Sequence, residues 1–393
     1  MEAYYYPHFT MLGQSLGSVV LGVEALLAWV PSIYIDTMGY AATLPLFSYC
    51  GGSVTGCYVH YPTISTDMLD RVRGKHRAYN NRGLIANSVL ASALKLRYYK
   101  IFAWLYGRCG AAADAVMVNS SWTEEHIRQL WGRGEEGVVK VFPPCDTAHL
   151  ANLARDTEAG AGGQVRILSL GQFRPEKDHV LQIKAMFELR QILPESDWER
   201  TNLVIIGGCR GQQDWKLLQD LKDLSKHFSV EDNVTFLPNL PFSDLLAEFG
   251  KATVGIHTMW NEHFGIGNSD WSCSYFLLTN HFTTTGIVEM MAAGLMTIAH
   301  RSGGPLMDIV VEDSGARNGF LAITSQEYAA HIAFIINMTE EVMMRENPPD
   351  LTRCLQARAG VRQRATASCE MFNCDQFDRG WVRATDHLFT KFM

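Results

Sequence analysis

From residue 165 to the C-terminus, short apolar runs alternate with helical patterns, and this alternation constrains the fold more than any other feature of the chain. The runs at 165–170, 203–207, 234–237, 253–257 and 296–299 read as strands. Between them, 178–193, 215–228, 243–249 and 287–293 carry helical spacing, and two long helical patterns follow. Strands separated by helices pair in parallel, because each connecting helix lays its apolar stripe on a sheet face. Residues 165–375 are therefore expected to form a Rossmann-like domain.

The same alternation is thinner in the first part of the chain. There 32–36, 56–60 and 115–119 read as strands, and 88–107 and 123–131 as helices. A complete doubly wound domain shows about five or six strands, so residues 1–155 are expected to form an incomplete Rossmann-like domain. Between the two, 156–164 (DTEAGAGGQ) is small, flexible and polar, the composition of a hinge. Residues 376–393 are expected to form a helix that returns to the first domain. The fold class is α/β.

Composition narrows the function classes. Of the 393 residues, 47% are hydrophobic and 19% charged, which excludes a disordered chain. A formal charge of −7 argues against a general nucleic-acid binder. The nine cysteines are scattered, odd in number and without a CxxC pair. That pattern fits reduced thiols in a cytosol-facing protein, and neither a disulfide framework nor a zinc site. The N-terminus has no basic segment leading into an apolar one, so it does not read as a signal peptide. Residues 11–31 contain Gln14 and Glu24 and read as a buried amphipathic helix rather than a span. Residues 94–113 are aromatic-rich but interrupted by Lys95, Arg97, Lys100 and Arg108. Core packing is the first reading of this segment too; the second is a helix lying on a membrane, with 94–107 as the surface.

Three loops and one histidine carry candidate chemistry. The loop 171–177 (GQFRPEK) follows a strand and precedes a helix, the edge of a parallel sheet where ligands sit. There Arg174 and Lys177 could hold a diphosphate, although the same residues also suit a solvated basic turn. The loop 261–267 (NEHFGIG) follows another strand, and its glycines permit close backbone approach to a ligand beside Glu262 and His263. Glu289 opens a helix, where an acid is favoured by the helix dipole with or without a ligand. Ser302, Gly303 and Gly304 form a turn whose amides could face phosphate. His60 ends a strand in YVHYP, a position that alone is as well explained by structure. No Asp-x-Asp, Walker or Ser-His-Asp signature is present.

Together GQFRPEK, LVIIGGCR, TVGIHTMWNEHFGIG, EMMAAG and SGGP resemble glycosyltransferase family 4, retaining enzymes in which two Rossmann-like domains face each other in the GT-B arrangement. YVHYPTISTDML, VMVNSSWT, VFPPCD and HTMWNEHFGIG resemble more closely its asparagine-linked-glycosylation α-1,2-mannosyltransferases. These act on the cytosolic face of the endoplasmic reticulum membrane. They move the fourth and fifth mannoses from GDP-mannose to a dolichol-diphosphate-linked trimannosyl chitobiose.

The resemblance implies a role for each matching residue. Arg174 and Lys177 would hold the GDP diphosphate, and Glu262 the donor mannose. His263, Phe264, Gly265, Ile266 and Gly267 would line the sugar, Glu289 would bind the ribose, and Ser302, Gly303 and Gly304 would complete the donor site. His60 would lie near the anomeric carbon. Neither a cofactor nor a metal is implied. The implied partners are GDP-mannose, the dolichol-linked oligosaccharide, the endoplasmic reticulum membrane surface and other early mannosyltransferases of the pathway, with no nucleic acid.

Three departures accompany the resemblance. The family's opening strand, its glycine-rich loop and the N-terminal membrane helix are not found in the chain. Gln172 stands where many members carry the first arginine of the diphosphate pair. Finally, the family's E-x7-E signature is broken: Glu262 and Glu289 stand 27 positions apart, an excess of 19, which segment 268–286 accounts for and which reads like a translated intron. Two other functions are therefore carried as alternatives. One is an inactive relative that binds the sister mannosyltransferases, and the other is a family 4 enzyme with a different donor such as UDP-glucose.

Overall fold

A computed structural model describes residues 10–65, 68, 89–156, 163–260, 262, 264, 286–312, 316–344 and 351–390. Most of the expected hinge and all of segment 268–286 except Gly286 lie outside the described residues. The chain divides into two units, one comprising Met1–Phe142 with Asp378–Met393 and the other Pro143–Phe377.

The first unit holds a parallel sheet of four strands in sequential order: β1 (Ile33–Asp36), β2 (Val54–Val59), β3 (Ala115–Val118) and β4 (Val139–Lys140). Its helices include α1 (Thr10–Ala28), α2 (Val89–Gly110) and α3 (Ser121–Trp131). Ser120 caps α3 by accepting from the Thr123 amide at 3.2 Å, and Gly132 at φ 63° ends it. Tyr99, Phe102 and Tyr106 of α2 and Ile127 and Trp131 of α3 pack on Cys57, Val59, Val116 and Val118 of the sheet. Strand β4 was not expected, because two residues are too few to show an alternation.

The reading of 11–31 as a buried helix is corrected. Helix α1 forms, but only Ser18 and Gly22 are buried, while Leu16, Val20, Leu21 and Leu27 are exposed. The physical reason lies in the sequence: α1 is apolar around most of its circumference, so it has no single stripe to hide. Its small residues make the contact instead; a Cβ on Gly22 would come within 2.9 Å of the Leu46 side chain. Helix α1 is long and apolar enough to cross a membrane. Helix α2 divides the two readings given for it. Tyr99, Phe102 and Tyr106 are core, whereas Leu94, Ile101, Trp104 and Leu105 are exposed.

The second unit is built on a six-stranded parallel sheet. In chain order it contains α4 (Thr147–Asp156), β5 (Val165–Leu170), α5 (His179–Ile192), β6 (Thr201–Gly207), α6 (Gln212–His227), β7 (Val234–Pro238), α7 (Phe242–Lys251) and β8 (Val254–Ile256). These are followed by α8 (Gly286–Ala292), β9 (Met296–His300), β10 (Phe320–Ala322), α9 (Ser325–Met344) and α10 (Leu351–Ser368). The spatial order is β10-β9-β8-β5-β6-β7. The chain therefore runs outward from β5 through β6 to β7, then returns to the other side of β5 with β8. This reversal makes the β5–β8 boundary the switch point at which a doubly wound sheet opens a crevice at its carboxyl edge. Central-strand residues Ile167, Leu203, Ile205, Val254 and Ile298 are fully covered or nearly so, packed against α5 and α9.

Helix α11 (Cys374–Thr390) ends the described chain. Within the first unit, its Trp381 meets the edge of the Tyr58 ring at 5.7 Å and its Leu388 is fully buried. Cys50, Cys57, Cys109, Cys145, Cys209, Cys369 and Cys374 are free thiols.

Candidate active site

The loops that follow β5, β8 and β9 stand on three adjacent strands of the second unit, at the switch point and beside it. The first loop is held tightly. Phe173 is fully buried, its amide donates to the Gly208 carbonyl at 3.1 Å, and the Gly171 amide donates to the Ile206 carbonyl at 3.0 Å. This proximity needs a glycine at 207, since a Cβ there would fall 1.9 Å from the Gly171 carbonyl oxygen. A turn at Pro175–Lys177 then delivers the chain to Asp178, which sits in the left-handed region at φ 47° and caps α5 by accepting from the Leu181 amide. A non-glycine residue in that conformation is strained, and such strain concentrates at functional loops.

These constraints aim Lys177 across the switch point. Its Nζ lies 2.8 Å from Glu262 Oε2, and Glu262 is buried. Burial alone would raise the Glu262 carboxyl, but the Lys177 ammonium and then His257 outweigh it and hold it well below the ordinary carboxylate range. Glu262 is therefore an anion at any physiological pH. Arg174 is half exposed, with only a 3.9 Å approach to Glu176, and its guanidinium is solvated at the mouth of the same loop.

The third loop closes on the second through the backbone, with the Gly304 amide donating to the Glu262 carbonyl at 2.8 Å. Gly303 is in the left-handed region at φ 55°. Ser302 Oγ is 2.8 Å from His300 Nδ1. Phe264 is buried against Phe372, ring centroids 5.0 Å apart. Glu289 lies in the first turn of α8, also buried, and its charge helps burial raise the Cys145 thiol. The structure thus brings Lys177, Glu262 and Gly304 together, with Arg174 on the same loop as Lys177. His263, Gly265, Ile266 and Gly267 lie outside the described residues.

His60 belongs to the first unit, at the carboxyl end of β2. Its ring meets Tyr58 edge-on at 4.5 Å. Burial lowers it to about 4, so the imidazole is neutral near pH 7.

One group of residues around this site was not anticipated. His257 directly follows β8 and reaches the same Glu262 oxygen, with Nε2 at 3.4 Å. Thr258 Oγ1 donates to the Lys177 carbonyl at 2.8 Å and accepts from Gln182 at 2.9 Å. Their signal in the sequence was the polar pair at the end of an apolar strand, in the stretch HTMWNEHFGIG.

Chemically, the arrangement offers a cationic side chain paired with a buried carboxylate at the switch point, with Arg174 on the same loop. It can take an anion on one side and the hydroxyls of a sugar on the other.

Residues 1–131 match the family model described as ALG11 mannosyltransferase N-terminus. Residues 154–269 match the model described as glycosyl transferases group 1, a match that stops at the start of segment 268–286. A Xenopus laevis protein named GDP-Man:Man(3)GlcNAc(2)-PP-Dol alpha-1,2-mannosyltransferase is 43% identical over 99% of this chain and 72% of its own length. The Homo sapiens protein of the same name is 43% identical over 98% of this chain and 71% of its own length.

Among solved structures, Anabaena Alr3699/HepE in complex with UDP and glucose superposes with a TM-score of 0.60 at 17% identity, covering 95% of this chain and 83% of its own. A UDP-forming trehalose-phosphate synthase from Burkholderia xenovorans reaches 0.64 at 12% identity, covering 96% and 78%. At those identities the structural likeness speaks to the fold alone, two Rossmann-like units of the GT-B class. The identity and coverage shared with the sequence relatives carry more: the chain belongs to the ALG11 mannosyltransferase family of the group 1 glycosyltransferases.

Proposed function

We propose that this chain is a retaining α-1,2-mannosyltransferase that moves mannose from GDP-mannose to a dolichol-diphosphate-linked trimannosyl chitobiose. The observation that carries the reading is the Lys177–Glu262 pair at the switch point, in a chain whose relatives are named for that reaction. In this reading Lys177 and Arg174 hold the donor diphosphate and stabilise it as it departs, the step at which charge develops. Glu262 accepts hydrogen bonds from the mannose hydroxyls, and the Ser302–Gly303–Gly304 turn and Phe264 complete the donor site. Glu289 is assigned to the ribose, and the residues 263 and 265–267 to the sugar. The part assigned to His60 rests on its motif and its place at the carboxyl end of β2. As a neutral imidazole it can accept a proton or a hydrogen bond near the anomeric carbon.

The two cationic side chains supply the charge neutralisation that a metal supplies in other transferases, so transfer is proposed to be metal-independent. Location at the cytosolic face of the endoplasmic reticulum membrane is part of the same reading. Its support is the apolar α1 and the exposed Leu94, Ile101 and Trp104 of α2.

The test is direct. Purified chain is incubated with labelled GDP-mannose and the dolichol-linked trimannosyl acceptor, with and without EDTA. Two added mannoses, both removed by an α-1,2-mannosidase and unaffected by EDTA, are expected. Transfer from UDP-glucose instead, or no transfer from GDP-mannose, overturns the reading.

A further inference from the structure

His257 occupies a position that neither the sequence motifs nor the reaction assigns. It is 4% exposed at the end of β8, five residues before Glu262. Its Nε2 faces Glu262 Oε2 at 3.4 Å, the same oxygen that Lys177 approaches to 2.8 Å.

Two features make this more than a core histidine touching a neighbour. First, Nδ1 is buried and has no hydrogen-bond partner among the described residues. A proton on Nδ1 would leave a buried N–H unpaired, whereas a proton on Nε2 leaves only a lone pair unpaired. The partners therefore assign the neutral ring with its Nε2–H directed at Glu262. Second, the ring's backbone is fixed from three sides. The His257 amide donates to the Ile298 carbonyl of β9 at 2.9 Å, and the Tyr328 hydroxyl of α9 donates to the His257 carbonyl at 2.8 Å. The next residue, Thr258, is tied to Lys177 and to Gln182 of α5. The imidazole stands on a rigid strand end rather than on a mobile loop.

The arrangement matters because Lys177 is asked to do two things. A donor diphosphate carries more charge than a carboxylate and would draw the Lys177 ammonium toward itself. Glu262 would then be a buried anion stripped of its main counter-charge while it must meet the sugar. Among the described residues, His257 is the other side-chain donor on that carboxylate. A separation of 3.4 Å is long for a hydrogen bond, and contacts of this kind tighten in the substrate complex.

We propose that His257 is a positioning residue that keeps the Glu262 carboxylate aimed at the donor sugar while Lys177 is engaged by the diphosphate. The inference rests on the reading of Glu262 and Lys177 as donor-sugar and diphosphate groups.

The experiment compares H257A, H257Q, H257M and E262A in the full chain, measuring kcat and KM for GDP-mannose and the affinity for GDP. GDP lacks the mannose, so a residue acting through the sugar contact leaves GDP binding alone. H257A is expected to lower kcat roughly 10- to 100-fold, the worth of one hydrogen bond to a charged group. Its GDP affinity should stay within about twofold of the parent. H257Q, whose amide can replace the Nε2–H, should recover most of the lost kcat, and H257M should not.

Unchanged kcat in H257A, a parallel loss of GDP affinity, or H257Q no better than H257M overturns the inference. If H257A does not fold, the contrast between H257Q and H257M decides alone. Full transfer by H257A with none by E262A overturns this inference only, whereas full transfer by E262A overturns the reading of Glu262 and this inference with it.

Discussion

Lys177 Nζ and Glu262 Oε2, 2.8 Å apart, join the loop after β5 to the loop after β8 across the one boundary where the strand order of the second unit reverses. The two residues are 85 positions apart in the chain. Their meeting converts a sheet topology into a charged crevice, and it also creates a debt to stability. A buried carboxylate has been placed beside a cation that, in the proposed reaction, the donor diphosphate would claim.

Removing only the cation exposes that cost. K177M keeps the aliphatic stem but leaves the buried Glu262 charge without its ammonium. Breaking such a pair from one side destabilises by about 3 kcal/mol or more. In urea unfolding, K177M is expected to lower the midpoint, and the double variant K177M/E262Q to recover most of it. Transfer should remain absent in both. Equal stability of K177M and the parent would show that the pair is solvated rather than buried.

Arg174 is predicted to behave in the opposite way. Its side chain is 37% exposed and its nearest acid, Glu176, is 3.9 Å away and itself half exposed, so R174A should change stability by less than about 0.5 kcal/mol. If the guanidinium grips the diphosphate, KM for GDP-mannose should rise about tenfold or more. An unchanged KM would return Arg174 to the status of a solvated basic turn.

The contrast between these residues also explains what the sequence could carry. Strands β5–β9 were legible because each is a run of apolar residues long enough to stand out between helices. The two-residue β4 was not, since it owes its existence to a neighbour already in place. Arg174, Lys177 and Glu262 could be named from their loops. What no local pattern announces is that Lys177 turns to Glu262 while Arg174 stays in solvent, because that depends on Phe173 and Gly207 locking the loop. His257 was hidden for the same reason: a histidine at a strand end has no signature until the strand order is known. The expected burial of α1 fails for a different reason: Gln14 and Glu24 are two polar residues in an otherwise apolar helix and do not define a polar face opposite a single apolar stripe.

His60 provides a prediction about acid sensitivity. Burial lowers its pKa from 6.5 in the unfolded chain to about 4 in the native one. Between those values the unfolded chain takes up a proton that the native chain refuses, so stability falls as the pH drops from about 6.5 toward about 4, and no further penalty accrues below. Other buried histidines, including His179, His257 and His300, are lowered by burial and act in the same direction. The His60 share is therefore isolated by comparison: the urea midpoint of H60Q should decline less between pH 7 and pH 4.5 than that of the parent. Parallel declines would place the titration elsewhere.

The exposed face of α2 yields the last prediction. Leu94 and Trp104 are 63% and 64% exposed, Ile101 is 54% exposed, and Arg97, Lys100 and Arg108 share the helix with no acidic residue among 89–110. Apolar side chains interleaved with basic ones suit the boundary between acyl chains and anionic headgroups, whereas a face meant for water would carry acids as well. Helix α1 lies close by, since its Met11 packs on the same core cluster as Tyr99 and Phe102 of α2. If α2 adds to membrane binding, I101E/W104E should reduce flotation with vesicles containing phosphatidylserine, and the parent's flotation should weaken with added salt. The substituted positions are exposed, so the thermal midpoint should barely move. Undiminished flotation of I101E/W104E would assign the attachment to α1 and leave the α2 face without a part in it.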